Sequence, residues 1–205
     1  MLPDDLAVEL TKRFQVRLSR LSTKVGLVTT KAWDELGEWN EPDVERYSVA
    51  VMPYLRAASS AAQQVSAGYY QALTRTPSRS VGPIVPPTDL RAPFTAYWHS
   101  LTEGNQWVDA LTYGRSRAES IAVDHVTSTA RLAGDAYTAG TRVVGWRRVL
   151  SGKSCTWCST VATQRYRTAE SADFGHDGCD CTVAPIIGSA DPGQVINAER
   201  LDPAR

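Results

Sequence analysis

The cysteines of this chain lie close together, and their spacing is the feature that most constrains how its C-terminal part can fold. All four cysteines and one of the three histidines fall within 27 positions, and the other 178 positions contain no cysteine. A C-x2-C pair followed by H-x2-C-x-C brings five sulfur and nitrogen ligands to one place, as a tetrahedral metal site or a pair of local disulfides requires. We call these residues the Cys/His cluster: Cys155, Cys158, His176, Cys179 and Cys181.

The composition is that of an ordinary globular chain without a global charge. Its 205 residues can form one sizeable core, and 22 basic side chains balance 22 acidic ones, so no net field draws the chain to nucleic acid or to a membrane. No apolar run is long enough to span a bilayer, and the first residues lack the basic-then-apolar order of a secretion signal. We therefore expect a protein that is made in the cytoplasm, where persistent disulfides are uncommon, and that does not enter a membrane.

The first two thirds of the chain carry the periodicity of long helices. Apolar residues recur at three- and four-residue steps over residues 4–36, which predicts a long amphipathic helix. Pro42 opens a second predicted helix, which Pro53 bends or divides. Five prolines in residues 76–93 predict an extended connector and a domain boundary. Helical patterns resume over residues 94–139.

After residue 140 the pattern changes to that of short strands. Strands are predicted at residues 143–150, 164–168 and 182–187, and the tail after residue 187 is expected to be loosely held. The predicted fold class is therefore mainly α (α+β), with long N-terminal helices followed by a small β-containing C-terminal module that the Cys/His cluster closes. The predicted divisions are a helical arm or bundle at 1–75, a linker at 76–93, helices plus the module at 94–187 and a tail at 188–205.

The Cys/His cluster offers more ligands than a zinc ion needs. Zinc takes four, and the set that its spacing favours is Cys155, Cys158, Cys179 and either His176 or Cys181. Metal binding would then supply folding free energy to a module too small to bury much core. Two disulfides or four reduced thiols would tie the same loops together, although the cytoplasmic setting favours zinc. Redox catalysis would need a βαβ frame around the C-x-x-C pair, and a zinc deaminase would need an H-x-E motif, which this sequence lacks.

Basic side chains flank the Cys/His cluster. Between residues 141 and 170, six of them stand against a single acid, Glu170. A basic patch of this kind contacts DNA or an acidic partner, or it is a solvated face without a partner. The other two histidines, His99 and His125, lie in helical stretches without a motif and are expected to be structural. The residues predicted for a DNA or partner contact are Arg147, Arg148, Lys153, Arg165 and Arg167.

With these residues in place, the C-terminal half resembles the phage Mu protein F-like family of minor head proteins. The resemblance covers about residues 110–187. It rests on small-residue helices that lead into the run GWRRV at residues 145–149, followed by the Cys/His cluster in its C-x-x-C and H-x-x-C-x-C order. Asp177 and Asp180 stand where the family usually has a proline and an arginine.

The resemblance implies a minor capsid protein of a tailed phage or prophage without enzymatic activity. Such a protein lies inside the head near the portal, passes through the host cytoplasm during assembly, and acts in head assembly or in the packaging or delivery of DNA. Its implied partners are the portal protein, the scaffold or major capsid protein, and phage DNA. We expect the N-terminal helices to dock on these partners through the apolar stripe of residues 6–28, and Arg147, Arg148 and Arg165 to face DNA or a partner.

Two other functions fit parts of the sequence. Related proteins are often labelled capsid maturation proteases, in which case Cys155 or Cys158 would be the nucleophile and His176 the base. Mutual ligation explains these side chains better, and neither H-E-x-x-H nor G-x-S-x-G occurs. The third hypothesis is a zinc-containing DNA-binding protein. It predicts that the isolated protein binds DNA and that its affinity falls steeply as the salt concentration rises. We therefore expect no catalytic residues and no cofactor other than one zinc ion.

Overall fold

The computed structural model describes residues 4–75, 77, 80–139, 141, 143–150, 156–162, 164–166 and 182–187. Within these residues the chain is mainly helical with a small antiparallel sheet near the C-terminus, which confirms the predicted fold class. In chain order the elements are α1 (Asp4–Asp34), α2 (Glu41–Thr74), α3 (Ala92–Thr102), α4 (Trp107–Thr138), β1 (Val143–Val149), α5 (Thr156–Val161), β2 (Arg165–Tyr166) and β3 (Thr182–Ile187). We call α1–α4 the helical bundle, and β1, α5, β2 and β3 the sheet module.

Helix α2 begins at the capping residue and proline that its sequence provides. Asn40 caps α2 by accepting a hydrogen bond from the Asp43 amide, and Pro42 lies in the first turn, where it removes no helical hydrogen bond. The helix continues through Pro53, so the prediction that this proline might divide it is wrong. Pro53 and Val49, one turn earlier, both lie on the exposed face, where solvent can serve the carbonyl that the proline leaves without a donor.

The bundle has one continuous hydrophobic core, to which α1, α2, α3 and α4 all contribute. Trp33 of α1 is 1% exposed, and its ring meets Phe94 of α3 edge-on at a centroid distance of 5.0 Å and Tyr47 of α2 at 6.4 Å. Such aromatic pairs contribute about 0.5–1.5 kcal/mol each beyond the burial of their area. Because Phe94 lies after the Pro-rich segment and the other two rings lie before it, that segment joins two parts of one core.

The apolar stripe of residues 6–28 belongs to this core. Phe14, Leu18 and Val25 are all at most 6% exposed and pack within the bundle. From Phe14 to Val25 the stripe is covered within the bundle, so the expectation that it docks on another protein is wrong for this part, whereas Leu6 at its start is 43% exposed.

The Pro-rich segment is held against the bundle by side-chain hydrogen bonds. The Gln63 side chain of α2 donates to the carbonyls of Val81 (3.2 Å) and Gly82 (2.8 Å) and accepts from the amide of Ile84 (3.2 Å). These bonds satisfy backbone groups that an extended segment cannot pair with itself.

The sheet has the strand order β2-β1-β3, with both pairs antiparallel, and the three strands lie where the sequence predicts them. The longer pair runs from Val143 opposite Ile187 to Val149 opposite Thr182, with an irregularity near Gly145. The sheet is joined to the bundle by a buried hydrogen bond, in which the Gln15 side chain of α1 donates to the Val149 carbonyl at 3.1 Å.

Candidate metal centre in the sheet module

One member of the Cys/His cluster lies within the described residues. Cys158 sits in the middle of α5 and is fully buried, with 0% exposure. The described residues contain no group of three or more metal-binding side chains. The other four predicted ligands, Cys155, His176, Cys179 and Cys181, lie outside the described residues.

The register of the sheet brings two relevant chain segments together. Thr182, the first residue of β3, pairs with Val149, the last residue of β1. The chain leaves β1 at this end towards α5 and Cys158, and it enters β3 at the same end directly after Cys181 in the sequence. The strand pairing therefore supplies the long-range closure that a site built from the two halves of the Cys/His cluster requires.

Arg148 is buried beside Cys158. The residue is 2% exposed, and its Nη2 atom donates a hydrogen bond to the Cys158 sulfur at 3.6 Å. Its guanidinium also lies over the Trp157 ring, 5.7 Å from the centroid. The prediction that Arg148 faces DNA or a partner does not agree with this burial, because its charged end points into the module.

The charge of Arg148 has a chemical consequence at the sulfur. A buried cation is stable only when negative or strongly polar groups neutralise it, and a hydrogen bond from a guanidinium stabilises negative charge on its acceptor. The thiolate is the form of cysteine that binds metal ions, and donors in the second shell of a metal site orient such ligands and tune their charge. The contact therefore suits a Cys158 that binds a metal as a thiolate, and the donor set fits a zinc ion if the remaining ligands come from the rest of the Cys/His cluster.

Tyr166 holds β2 against α5. Its hydroxyl donates to the Val161 carbonyl at 2.7 Å, and its ring packs with Trp146 and Val183 in the small core of the sheet. Burial raises the pKa of Tyr166, and the nearby charge of Arg148 opposes this rise. The tyrosine thus fixes the C-terminal end of the helix that carries Cys158.

The remaining basic residues of the predicted contact are placed differently from Arg148. Arg147 is partly exposed and lies opposite Arg165 in the β1–β2 pair, so the register brings two basic residues together. Lys153 and Arg167 lie outside the described residues.

Comparison with known protein families identifies one family that matches nearly the whole chain. The model of the VG15 protein family matches residues 6–202, which include both the helical bundle and the sheet module. The chain belongs to the VG15 protein family. This membership indicates a phage protein. No curated protein and no solved structure matches the chain.

The matched range also includes the positions of the Cys/His cluster. The resemblance to the Mu protein F-like family remains a prediction, because the matching family is a different one. Among the described residues, no helix is both long and apolar enough to cross a membrane.

A second cluster of polar side chains lies in the helical bundle of this VG15 protein. Its burial determines whether it can be a catalytic site or is a structural network. Ser59 Oγ lies 2.7 Å from His125 Nε2, which resembles a nucleophile with its base. The Nδ1 atom, however, faces the Thr88 hydroxyl at 2.7 Å, and Ser59 and His125 are 1% and 2% exposed. A substrate cannot reach this pair, so the group is a structural network that ties the Pro-rich segment to α2 and α4. Thr129, one turn after His125, joins the network through Ser59, whose hydroxyl lies 3.2 Å from its own.

Proposed function

We propose that this phage protein is a minor head protein that acts inside the capsid beside the portal, in head assembly or in the packaging or delivery of DNA. The observation that carries the proposal is the geometry around Cys158. The strand that bears the GWRRV run is paired with β3, and its Arg148 lies buried against Cys158, the second cysteine of the C-x-x-C pair. Two of the sequence features on which the resemblance to minor head proteins rests, the GWRRV run and Cys158, therefore meet in one folded module.

Membership of a phage family and the architecture of the chain support the same proposal. A helical bundle with its own aromatic core and a small sheet with its own apolar cluster suit a structural component of a particle. The resemblance implies the portal protein as the first partner, with scaffold, coat protein and DNA as further ones. We propose one zinc ion as the group that the Cys/His cluster holds.

The capsid maturation protease receives less support from the described residues. A cysteine protease needs a nucleophile that substrate can reach, whereas Cys158 is 0% exposed and hydrogen-bonded by Arg148. Co-expression with the major capsid protein separates the two functions. Coat cleavage that disappears in Cys158→Ala or His176→Ala, while hydrogen exchange shows that β1 and β3 remain protected in both variants, would establish the protease in place of the minor head protein.

The direct test is whether the chain is a component of the particle. We expect mass spectrometry of purified heads to detect it in far fewer copies than the coat protein, and the tagged chain to retain the portal protein on affinity purification after nuclease treatment. The nuclease step removes any association that DNA alone would bridge. Absence from both procapsids and mature heads, together with no retention of the portal protein, would overturn the proposal.

A further inference from the structure

The exposed face of α1 carries a row of basic side chains. They are separate from the basic residues of the sheet module that the sequence predicts as a contact for DNA or a partner. Between residues 10 and 33, α1 contains six basic residues and no acidic one, and all six are exposed. We call them the basic stripe: Lys12, Arg13, Arg17, Arg20, Lys24 and Lys31. Since the whole chain is neutral, this charge is a local feature.

The helical repeat places the basic stripe on one side of α1. At about 100° per residue its six members fall within an arc of about 140°, and at about 1.5 Å per residue they extend over about 28 Å. Phe14, Leu18 and Val25 lie on the opposite side, where they fill the core. Packing of the bundle therefore fixes the direction in which the basic stripe points, which is outward.

Neighbouring acids leave most of this charge unneutralised. Arg13 pairs with Glu9 at 2.7 Å and Lys31 with Glu35 at 3.7 Å, both near the ends of the stripe. In the part of the chain that the structure describes, the other four cations have no acidic side chain within ion-pair distance: Lys12, Arg17, Arg20 and Lys24. A row of like charges repels itself, and a polyanion relieves that repulsion.

From this geometry we propose that the basic stripe of α1 binds the phosphate backbone of double-stranded DNA without sequence preference. Duplex DNA offers a regular row of phosphates that a straight row of about 28 Å can follow, and lysine and arginine contacts to phosphate require no particular base. The stripe contains no aromatic side chain on which unpaired bases would stack, which favours the duplex over a single strand.

The structure argues against an anionic membrane as the partner. A helix that lies on a membrane inserts an apolar face beneath its basic one. The apolar face of α1 is occupied by the bundle core, and only Val16 and Leu27 are exposed within the stripe, at 48% and 66%. Two isolated apolar side chains do not make an insertion surface.

This inference is independent of the proposed portal association, because it concerns the isolated chain. The test measures binding of the full chain to a fluorescent duplex of arbitrary sequence, about 20 base pairs long, between about 50 and 200 mM salt. We expect the logarithm of the association constant to fall with the logarithm of the salt concentration, with a slope of about −4 to −5 for four to six phosphate contacts.

Three variants of matched charge locate the surface. The first, R17Q/R20Q/K24Q, removes the middle of the basic stripe, and we expect at least about tenfold weaker binding at low salt and a slope smaller by about 3. The second, R56Q/R91Q/R115Q, removes three exposed cations from α2, the start of α3 and α4, and should bind as the wild type does. The third, R147Q/K153Q/R167Q, removes three of the five residues of the predicted sheet-module contact and should also retain binding.

Several outcomes would overturn the proposal. They are no duplex binding by the wild type at low salt, an equal loss in the first two variants, or a loss confined to the third variant. Sedimentation with phosphatidylglycerol vesicles in the absence of duplex binding would assign the stripe to lipid instead. Circular dichroism of each variant establishes that the bundle is folded. A negative result here leaves the portal test unaffected, since that test is made after nuclease treatment.

Discussion

The helical bundle and the sheet module are stabilised in different ways. The bundle buries large aromatic side chains almost completely, among them Trp33, Tyr47, Tyr70 and Phe94. In the described part of the sheet module the larger cluster is only Trp146, Tyr166 and Val183, with Val143 beside it. Burial of apolar area stabilises by about 25 cal/mol per Å², so the bundle can be stable through its core alone, whereas we expect the sheet module to need the cross-link proposed for the Cys/His cluster.

The two regions also differ in the polar groups that they bury. Several of the polar groups that the bundle buries are neutral and hydrogen-bond to one another, such as Ser59, His125 and Thr129. Its buried carboxylate, Asp43, accepts from the Trp39 amide and pairs with Arg46. The sheet module buries a guanidinium against a sulfur atom. A buried charge depends on its partner far more than a neutral hydrogen-bonded group does. We therefore expect metal removal or a cysteine substitution to affect the sheet module, and changes of packing or pH to affect the bundle.

The largest expected effect comes from breaking the Cys/His cluster. We expect Cys158→Ser, or treatment of the wild type with EDTA and reductant, to remove hydrogen-exchange protection from β1 and β3 while α1–α4 remain protected. Structural zinc supplies about 10–16 kcal/mol to small zinc-finger peptides, so loss of a ligand should open the module rather than loosen it slightly. Hydrogen exchange with mass spectrometry measures both regions in one experiment.

A matched change on the same helix serves as the control. Thr160→Ala alters the exposed face of α5 and should leave the protection of both regions unchanged. Elemental analysis with a thiol count then distinguishes zinc from disulfides. Protection of β1 and β3 that is the same with and without EDTA and reductant would contradict the idea that the Cys/His cluster holds the module together.

A second prediction concerns packing in the bundle and uses two helical glycines. A Cβ at Gly114 of α4 would overlap the ring of Trp33 and lie 3.0 Å from the Pro93 carbonyl oxygen, whereas a Cβ at Gly68 of α2 would meet nothing within 4 Å. We expect Gly114→Ala to destabilise the protein by about 1–3 kcal/mol through overpacking. Gly68→Ala should instead stabilise it by about 0.5–1 kcal/mol, because alanine is the better helix former.

Urea denaturation followed by far-ultraviolet circular dichroism measures both changes as shifts of the midpoint in opposite directions. Both variants should leave the hydrogen exchange of β1 and β3 under native conditions unchanged. A stabilisation of similar size in the two variants would show that helix propensity, and not the approach of Trp33, decides the outcome at Gly114.

The sequence allowed the main elements of this fold to be predicted, because their signals are local. The spacing of Phe14, Leu18 and Val25 and the capping residues of α2 identify helices without knowledge of what covers them. What covers them is a non-local property. The sequence therefore suggested a partner for the apolar face of α1 and a boundary at the prolines, although Phe94 beyond the prolines fills the same core as Trp33.

Arg148 shows how part of the candidate site could have been found. Adjacent strand residues point to opposite faces of a sheet, so Arg147 and Arg148 could not both face solvent if one face were covered. The alternation of side chains did not reveal which arginine points inward, or that Arg148 donates a hydrogen bond to Cys158. Both depend on how α5 packs on the sheet. The His125 network was missed for a similar reason, since Ser59 and Thr88 are far from it in sequence.

The smallest expected effect is a pH dependence of bundle stability that arises at His125. Burial lowers the pKa of this histidine below 6.5, and the hydrogen bond to the Leu55 carbonyl offsets part of the shift. These contacts are compatible with a neutral ring whose single Nε2 hydrogen is shared between the Leu55 carbonyl and the Ser59 hydroxyl, and whose Nδ1 accepts from the Thr88 hydroxyl. Folding therefore favours the uncharged form of His125.

The sign of the effect follows from this preference. Above about pH 6.5 the histidine is neutral in both the folded and the unfolded chain, and stability does not depend on it. As the pH falls below 6.5, the unfolded chain binds a proton that the folded chain does not. Stability is then lost progressively until the pH reaches the lowered pKa of the folded state.

Two histidine variants isolate this contribution. His125→Gln should lower stability near neutral pH by about 1–3 kcal/mol, since buried hydrogen bonds are lost, but its stability should change less between about pH 7 and pH 5 than that of the wild type. His99→Gln, at a side chain that is 70% exposed, should retain the wild-type pH dependence. If the urea midpoint of His125→Gln falls with pH as steeply as that of the wild type, the acid sensitivity of the bundle arises from groups other than this histidine.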